Sequence, residues 1–293
     1  MRRKFERYRL QWEITDAVPS GAEDMEQHIA AAELVILADV PQHRRQDLLR
    51  ACYVARRDII CRTDLQDIML NSAEALIIDD APCLSMPYFK MKLSQRVIKR
   101  ALDVVLSALV LVVTAPLMAL IALCIRLEDG GPVIFCQERA TIGGRVFSIR
   151  KFRTMKVAAS NEAHQISAEK DDERITRVGR ILRRTRLDEL PQFWNILKGD
   201  MTIVGPRPEM LENVQRYKAQ YPDFVYREKA KAGLTGYAQI EGRYNTTPED
   251  KLMLDLMYIE NNSVWNDLRL MLRTLTVFFR RDSTEGFDHQ EEA

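Results

Sequence analysis

Two carboxylates stand side by side at Asp188 and Glu189, inside the stretch RRTRLDELPQFWNILKGDMTIVGPRP (183–208). Arg174, Arg177, Arg180, Arg183, Arg184 and Arg186 crowd the residues just upstream, and Arg207 lies downstream between Pro206 and Pro208. Alone, an acid pair reads as a solvated helix start, because carboxylates favour the first turn and Pro191 is tolerated early in a helix. The basic frame changes that reading. Arg177, Arg180 and Arg184 share one helical face with Arg183 beside it, and so much like charge repels itself unless polyanions, lipid phosphates or acids sit against it. Each proline fixes its own φ at about −65° and keeps its predecessor extended, so Arg207 projects from a stiff backbone. A guanidinium is a fork matched to two phosphate oxygens, and stiffening its base lowers the entropy lost on binding.

Phosphoryl transfer suits this combination, since positioning and charge stabilisation dominate that reaction, often with Mg²⁺. An aspartate with a reference pKa of about 3.9 is ionised at neutral pH and needs no base to act as a nucleophile. Its attack on a phosphate gives an acyl phosphate, which can pass the phosphoryl group onward. The obstacle is repulsion between carboxylate and phosphate. For unit charges about 4 Å apart this is about 1 kcal/mol in water and about 4 kcal/mol at an effective dielectric of about 20. A metal and arginines offset it, so one acid can attack while its neighbour holds the metal. Nucleic acid is the other polyanion to weigh. Against it, the bases adjoin a membrane-type segment and carry no interleaved aromatic stacking pattern.

The elements that must position these groups follow from the rest of the chain. Its 293 residues are 46% hydrophobic, enough for a packed core, and the net charge of +1 excludes a wholesale polyelectrolyte. Charge is nevertheless uneven: between Lys90 and Ser160 twelve bases face four acids. Five cysteines form no CxxC pair, which suits a reducing compartment. The first residues are charged with no apolar stretch behind them, so no signal peptide is expected. Residues 1–85 read as a small α/β unit, with a helix capped by Ser20 and running to about Ala32, a strand at 34–39, a helix over 43–56, and further strands at DIIC and EALIID in one parallel sheet. No G-x-G-x-x-G follows a strand, so a docking or regulatory role is expected there rather than dinucleotide binding.

A basic lead-in over 86–100 then meets an uncharged run from Val104 to Ile125. At about 1.5 Å per residue this run reaches about 33 Å, against a hydrocarbon core of about 30 Å. Pro116 interrupts it, removing one helix bond and crowding the carbonyl of Val112, while Ser107 and Thr114 could satisfy groups released by a bend. Both flanks are basic, so both prefer the cytoplasmic leaflet. A kinked, re-entrant helix meets that condition and a straight span does not. A β hairpin turning at Gly143-Gly144 is expected over 132–155, a polar loop over 157–173, and helices at 174–184, 189–198, 209–220 and 250–280.

From Lys99 to Thr276 the chain resembles the bacterial sugar transferases that load a sugar phosphate onto a polyprenyl-phosphate carrier, the monotopic phosphoglycosyl transferases. The matching pieces, in order, are KRALDVVLSALVLVVTAPL, GPVIFCQER, KFRTM, DDERITRVGRILRRTRLDELPQFWNILKGDMTIVGPRPE, GLTGYAQIEGR and DLMYIENNSVWNDL. Residues 1–85 resemble part of the Rossmann-like domain of longer members, whose N-terminal membrane helices are not expected here. The resemblance implies that Asp188 attacks the sugar-bearing phosphate of a UDP-sugar, that UMP leaves, and that undecaprenyl phosphate takes the phosphosugar. It implies Glu189 as Mg²⁺ ligand beside Asp188, with Mn²⁺ as the alternative ion. Arg183 and Arg207 are implied as phosphate binders, Lys151 and Arg153 of KFRTM as neighbours of lipid or substrate phosphate, and Ala115-Pro116 as the re-entrant bend. Two positions depart from the pattern: Ala140 replaces a usual glycine, and Arg186 stands where a small polar residue is usual.

The expected fold class is therefore α/β with α+β character. A small parallel-sheet N-terminal module covers 1–85, a lead-in and re-entrant membrane helix 86–128, a mainly helical catalytic domain with a short β hairpin 129–285, and a tail 286–293. The expected place is the cytoplasmic face of the bacterial inner membrane, in polysaccharide or glycoconjugate assembly. The alternative function is an inactive membrane scaffold of that machinery. The sugar (galactose, glucose or an N-acetylated hexose) and homo-oligomer formation stay open.

Overall fold

The computed structural model describes residues 15–86, 91–156, 173–242 and 246–278. The loop expected over 157–173 falls outside these residues except for Glu173, and so does the expected tail. Two compact units divide between Asp64 and Leu65, earlier than the end of the expected N-terminal module.

In the first unit, α1 (Met25–Ala31) precedes β1 (Leu34–Leu37), α2 (Gln42–Val54) and β2 (Asp58–Cys61). The strands pair in parallel from Leu34↔Asp58 to Leu37↔Cys61, with α2 as the crossover that parallel pairing demands. Leu48 and Cys52, one helical turn apart on α2, bury against Ile29 and Leu37. Ser20 caps nothing: α1 starts later, with Asp24 at its cap position and no side-chain cap bond. The segment EALII does not extend this sheet. It is β3 (Glu74–Ile78) of the second unit and pairs antiparallel with β4 (Ala81–Ser85). Only Asp79 and Asp80 separate the two strands, and a two-residue connection with Asp79 at φ 62° permits a hairpin but no parallel crossover.

The second unit opens with α3 (Leu65–Asn71) and, beyond the β3–β4 hairpin, continues into α4 (Leu93–Asp129), the long apolar helix. The expected hairpin follows as β5 (Ile134–Ala140) and β6 (Val146–Phe152), with Gly143 and Gly144 both at positive φ in its turn. Next come α5 (Arg177–Thr185), a 3₁₀ turn (Leu187–Glu189), α6 (Gln192–Lys198), β7 (Thr202–Val204), α7 (Leu211–Gln220) and a second 3₁₀ segment (Pro222–Lys229). β8 (Gly233–Thr235) pairs in parallel with β7 and leads to α8 (Tyr237–Ile240), α9 (Pro248–Glu260) and α10 (Val264–Phe278). The helix expected over 250–280 is thus two helices. Asn261, Asn262 and Ser263 intervene, and Ser263 ends the pattern by taking the Asn266 N–H on its hydroxyl and the Asp267 N–H on its carbonyl, a cap that starts α10 afresh.

Phe147 and Ile149 of β6, Ile196 of α6, Val204 of β7, Tyr258 of α9 and Leu270 of α10 form the main core. A second cluster joins Ile121 and Ile125 of α4 to Phe152 of β6 and Leu182 of α5. Both ends of α4 are held by the same unit. Near its start, Arg100 donates to the Ile196 and Leu197 carbonyls, and Asp103 accepts from the Thr202 hydroxyl and the Ile203 N–H. At its end, Glu128 accepts from the Arg177 and Val178 N–H groups. Between them, apart from buried Ser107, Ile121 and Ile125, the helix is largely exposed, with Val105, Leu109, Val112, Val113 and Leu120 uncovered and only 11% of its most apolar stretch buried. α4 is the one helix among the described residues long and apolar enough to cross a membrane. It runs unbroken through Ala115 and Pro116. Thr114 back-bonds to the Val110 carbonyl at 2.7 Å, whereas buried Ser107 makes no hydrogen bond through its hydroxyl among the described residues, contrary to expectation.

Candidate active site

The acid pair sits on a one-turn connection whose shape is set from both sides. Upstream, the Thr176 hydroxyl caps α5 by accepting the Gly179 N–H at 2.9 Å. Gly179 lets the helix press onto the KFRTM segment, since a Cβ there would lie 2.1 Å from the Thr154 carbonyl oxygen. At the other end Arg186 takes φ 55°, a left-handed conformation that stops α5 and redirects the chain into the 3₁₀ turn carrying Asp188 and Glu189. Such a conformation costs a non-glycine residue about 1–2 kcal/mol. Downstream, Pro191 occupies the cap position of α6. Buried Asn195 then ties α6 to β6, accepting the Arg150 N–H at 3.0 Å and donating to the Ser148 carbonyl at 2.8 Å.

The two acids are biased in opposite directions. Lys151, at the end of β6, donates to Glu189 Oε1 at 2.9 Å, and Arg207 Nη2 lies 3.9 Å from the same oxygen. Burial opposes the ionisation of Glu189, but Lys151, Arg207 and Arg186 outweigh it and hold the carboxyl at about 2. For Asp188 burial wins: its pKa is raised, with Glu189 adding to the rise while Lys151 and Arg183 pull against it. Glu189 is therefore a fixed anion, and Asp188 a more basic carboxylate than an exposed aspartate.

Most of the expected groups are gathered here. Asp188, Glu189, Lys151 and Arg207 form one cluster; Arg183, held by its Nε–H to the Thr154 hydroxyl at 2.9 Å, acts electrostatically on Asp188. Arg153, the other expected KFRTM cation, makes its bonds away from this cluster. It is 3% exposed, pairs through both terminal nitrogens with Asp129, and gives its remaining bonds to the Pro132 and Met155 carbonyls. Strand alternation alone would put Lys151 and Arg153 on one face; the split arises because β6 ends at Phe152, and beyond it Arg153 turns to Asp129 at the end of α4. Ala115 and Pro116 belong to the bare middle of α4.

Two arginines were not singled out from the sequence. Arg139 of β5 donates to the Pro208 carbonyl and to Gln137, and burial with the nearby Arg207 pushes its pKa down to about 10. Arg227 gives Nη2 to the Arg207 carbonyl at 2.8 Å and Nε and Nη2 to buried Asp255. Arg139 carried a signal, standing in the Gln-x-Arg element; Arg227 and Asp255 carried none.

As for a metal, no group of three or more His, Cys, Asp or Glu side chains gathers among the described residues. A dedicated protein cage is therefore not what this turn offers. Glu189, ionised and engaged through Oε1, together with Asp188 fits a Mg²⁺ held by one or two carboxylates and completed by substrate phosphates.

The profile of the bacterial sugar transferase family matches residues 94–281, which include the whole cluster. A Caulobacter vibrioides UDP-glucose:undecaprenyl-phosphate glucose-1-phosphate transferase is 43% identical over 190 residues, 63% of this chain and 71% of that one. An Aeromonas hydrophila UDP-N-acetylgalactosamine-undecaprenyl-phosphate N-acetylgalactosaminephosphotransferase is 40% identical over 182 residues, 61% of this chain and 43% of its own. A Salmonella typhimurium undecaprenyl-phosphate galactose phosphotransferase is 37% identical over 205 residues, 65% and 42% of the two chains. The chain thus spans less than half the length of the latter two relatives. With the profile covering the membrane-type helix, the KFRTM segment and the acid turn together, this chain belongs to the bacterial sugar transferase family.

Proposed function

We propose that this chain transfers a sugar 1-phosphate from a UDP-sugar to undecaprenyl phosphate in two displacements on Asp188. In the first, an oxygen of the Asp188 carboxylate bonds to the sugar-bearing phosphorus, the bond from that phosphorus to the UMP oxygen breaks, and UMP leaves. In the second, a phosphate oxygen of the carrier attacks the same phosphorus and the acyl-phosphate bond breaks. The lipid diphosphate sugar departs and the carboxylate is restored. The observation that carries this reading is the geometry of the turn, where Asp188 and Glu189 are adjacent and Lys151 at 2.9 Å and Arg207 at 3.9 Å face Glu189 Oε1. The raised pKa of Asp188 marks the better nucleophile, and the fixed charge of Glu189 suits a cation ligand. Lys151, Arg183 and Arg207 supply positive charge where the diphosphate must lie. Mg²⁺, bound by Glu189 with Asp188, would neutralise the phosphate oxygens during attack.

The membrane reading is part of the proposal. Because residues at both ends of α4 bond to the same unit, the reading has the apolar middle dip into the cytoplasmic leaflet and return, bending within one helix at Ala115-Pro116. Cysteines placed at exposed Leu93 and Leu127, in a chain otherwise free of cysteine, should then both react with an impermeant maleimide from the cytoplasmic side; opposite-side reactivity would rule the dip out. For the chemistry, purified protein incubated with UDP-sugars and no acceptor should gain a sugar-phosphate mass on the Asp188 peptide and release UMP. Asp188→Asn should do neither. Transfer by Asp188→Asn would overturn the assignment, and no UMP release from any UDP-sugar would favour a scaffold.

A further inference from the structure

A cavity of about 270 Å³ opens between the first turns of α4, strand β7, residues 229–231 and the end of α9. It is separate from the acid turn: none of Asp188, Glu189, Lys151, Arg183 or Arg207 lines it. Its walls carry five cations, Arg96, Lys99, Arg100, Lys229 and Lys231, against the two acids Asp103 and Glu260. Several of these charges are engaged. Lys99 pairs with Asp267, Arg100 donates to the carbonyls that end α6, Lys229 lies 3.6 Å from Glu260, and Asp103 accepts two bonds from β7.

Lys231 is different. It is half-buried yet has no hydrogen bond and no ion pair among the described residues. Burial lowers its pKa, with Arg100 and Arg145 adding to the fall while Asp103 and Asp200 pull against it. On the same walls, the side-chain oxygen of Asn262 is buried without a hydrogen-bond partner among the described residues. A cation and an amide end, both unmet and facing one hollow, call for a ligand that accepts and can also donate.

We propose that this cavity is an anion site for a phosphate group, with Lys231 and Arg100 meeting its oxygens and Asn262 completing the contacts. The Asn262 amide can turn its NH₂ toward the anion or accept from a protonated phosphate oxygen. The volume lies just under the usual range of about 300–1,000 Å³ for small-molecule pockets, which suits a headgroup or a small phosphate better than a nucleotide sugar. Two sources share that chemistry. One is an anionic phospholipid, since exposed Leu93 and Val97 on the adjoining face of α4 would lie along its chains. The other is a soluble phosphate. The inference stands apart from the proposed reaction, because it uses no residue of the acid turn.

The test uses the full chain in phosphatidylcholine nanodiscs and reads the acetylation rate of Lys231 by peptide mass spectrometry, with exposed Lys198 as internal control. One arm adds inorganic phosphate at constant ionic strength; the other replaces part of the lipid by phosphatidylglycerol. Occupancy should slow Lys231 labelling by about tenfold at about ten times Kd, while Lys198 is unchanged. Protection in the phosphate arm assigns the soluble source, and protection in the phosphatidylglycerol arm assigns the headgroup; either supports the site. Unchanged Lys231 labelling in both arms, or equal slowing of Lys198, overturns it.

Discussion

The turn bearing Asp188 and Glu189 and the frame behind the Pro-Arg-Pro segment are both built from charged side chains, but their charges balance differently. In the frame each cation has its acid. Arg227 pairs with Asp255 and Lys251 with Glu209, and Arg227, Asp255 and Glu209 are buried. At the turn, two acids face Lys151, Arg183, Arg186 and Arg207, with Arg139 behind them. Burial without surplus makes a rigid mount, here for the carbonyl of Arg207. Surplus positive charge at a half-open turn makes a place for a polyanion. Charged residues close together in this molecule thus divide into scaffold and chemistry by whether their charges cancel.

Substitutions can break that division. Asp188→Asn should lower transfer by at least about 10³-fold with membrane association and folding intact, measured by UMP release and by membrane flotation. Arg227→Met leaves Asp255 buried and unpaired, and should destabilise the unit by about 3–5 kcal/mol in denaturant or thermal unfolding. Lys151→Met should behave the opposite way. Its pair with Glu189 is mostly buried, but Arg207 and Arg186 remain beside that carboxylate, so stability should fall by less than it does for Arg227→Met. Turnover should still fall about 10²-fold, because a donor beside the reacting phosphates is gone. If Lys151→Met unfolded the protein while Arg227→Met only slowed it, scaffold and chemistry would have been assigned the wrong way round.

The sequence made the turn legible because its signals are local. Adjacent acids, Pro191, the prolines around Arg207 and the arginine periodicity of α5 all lie within one short stretch, and the structure places them in one region. The hairpin of β5 and β6 was equally local, marked by Gly143-Gly144. What was not legible depended on distant partners or on turn chemistry. Arg153 looks like Lys151 until Asp129, far upstream, is seen to take its guanidinium. Asp255 reads as one more acid on a helix; only folding brings it to Arg227. Asp79-Asp80 turned an expected parallel strand into half of a hairpin, and Ser263 divided one expected helix into two, each because two or three polar residues overrode a longer apolar pattern.

Smaller effects sharpen the comparison. Gly179→Ala would drive a Cβ into the Thr154 carbonyl, so α5 must shift from the segment that anchors Arg183; a loss of about 1–3 kcal/mol is expected. The Asp188 turn moves with α5, so activity should fall further than Lys151→Met alone predicts if the surplus charge needs that register.

The gentlest probe is pH acting on the balanced frame. Burial raises the pKa of Glu209, yet Lys251 and Arg227 outweigh it and leave the carboxyl below its usual value. A depressed folded-state pKa contributes stability that is present above the unfolded value, about 4.3, and is lost as pH falls through the folded one. The neighbouring Asp255, raised by burial, has the opposite sign, so the total acid limb of the wild type does not isolate Glu209. The difference between wild type and Lys251→Met does. That gap in unfolding free energy should be widest near neutral pH and should narrow as Glu209 takes up its proton, since a neutral carboxyl gives Lys251 little to pair with. A gap that held constant from neutral pH down through about pH 3 would mean that Lys251 stabilises the frame by packing its stem and not by balancing charge.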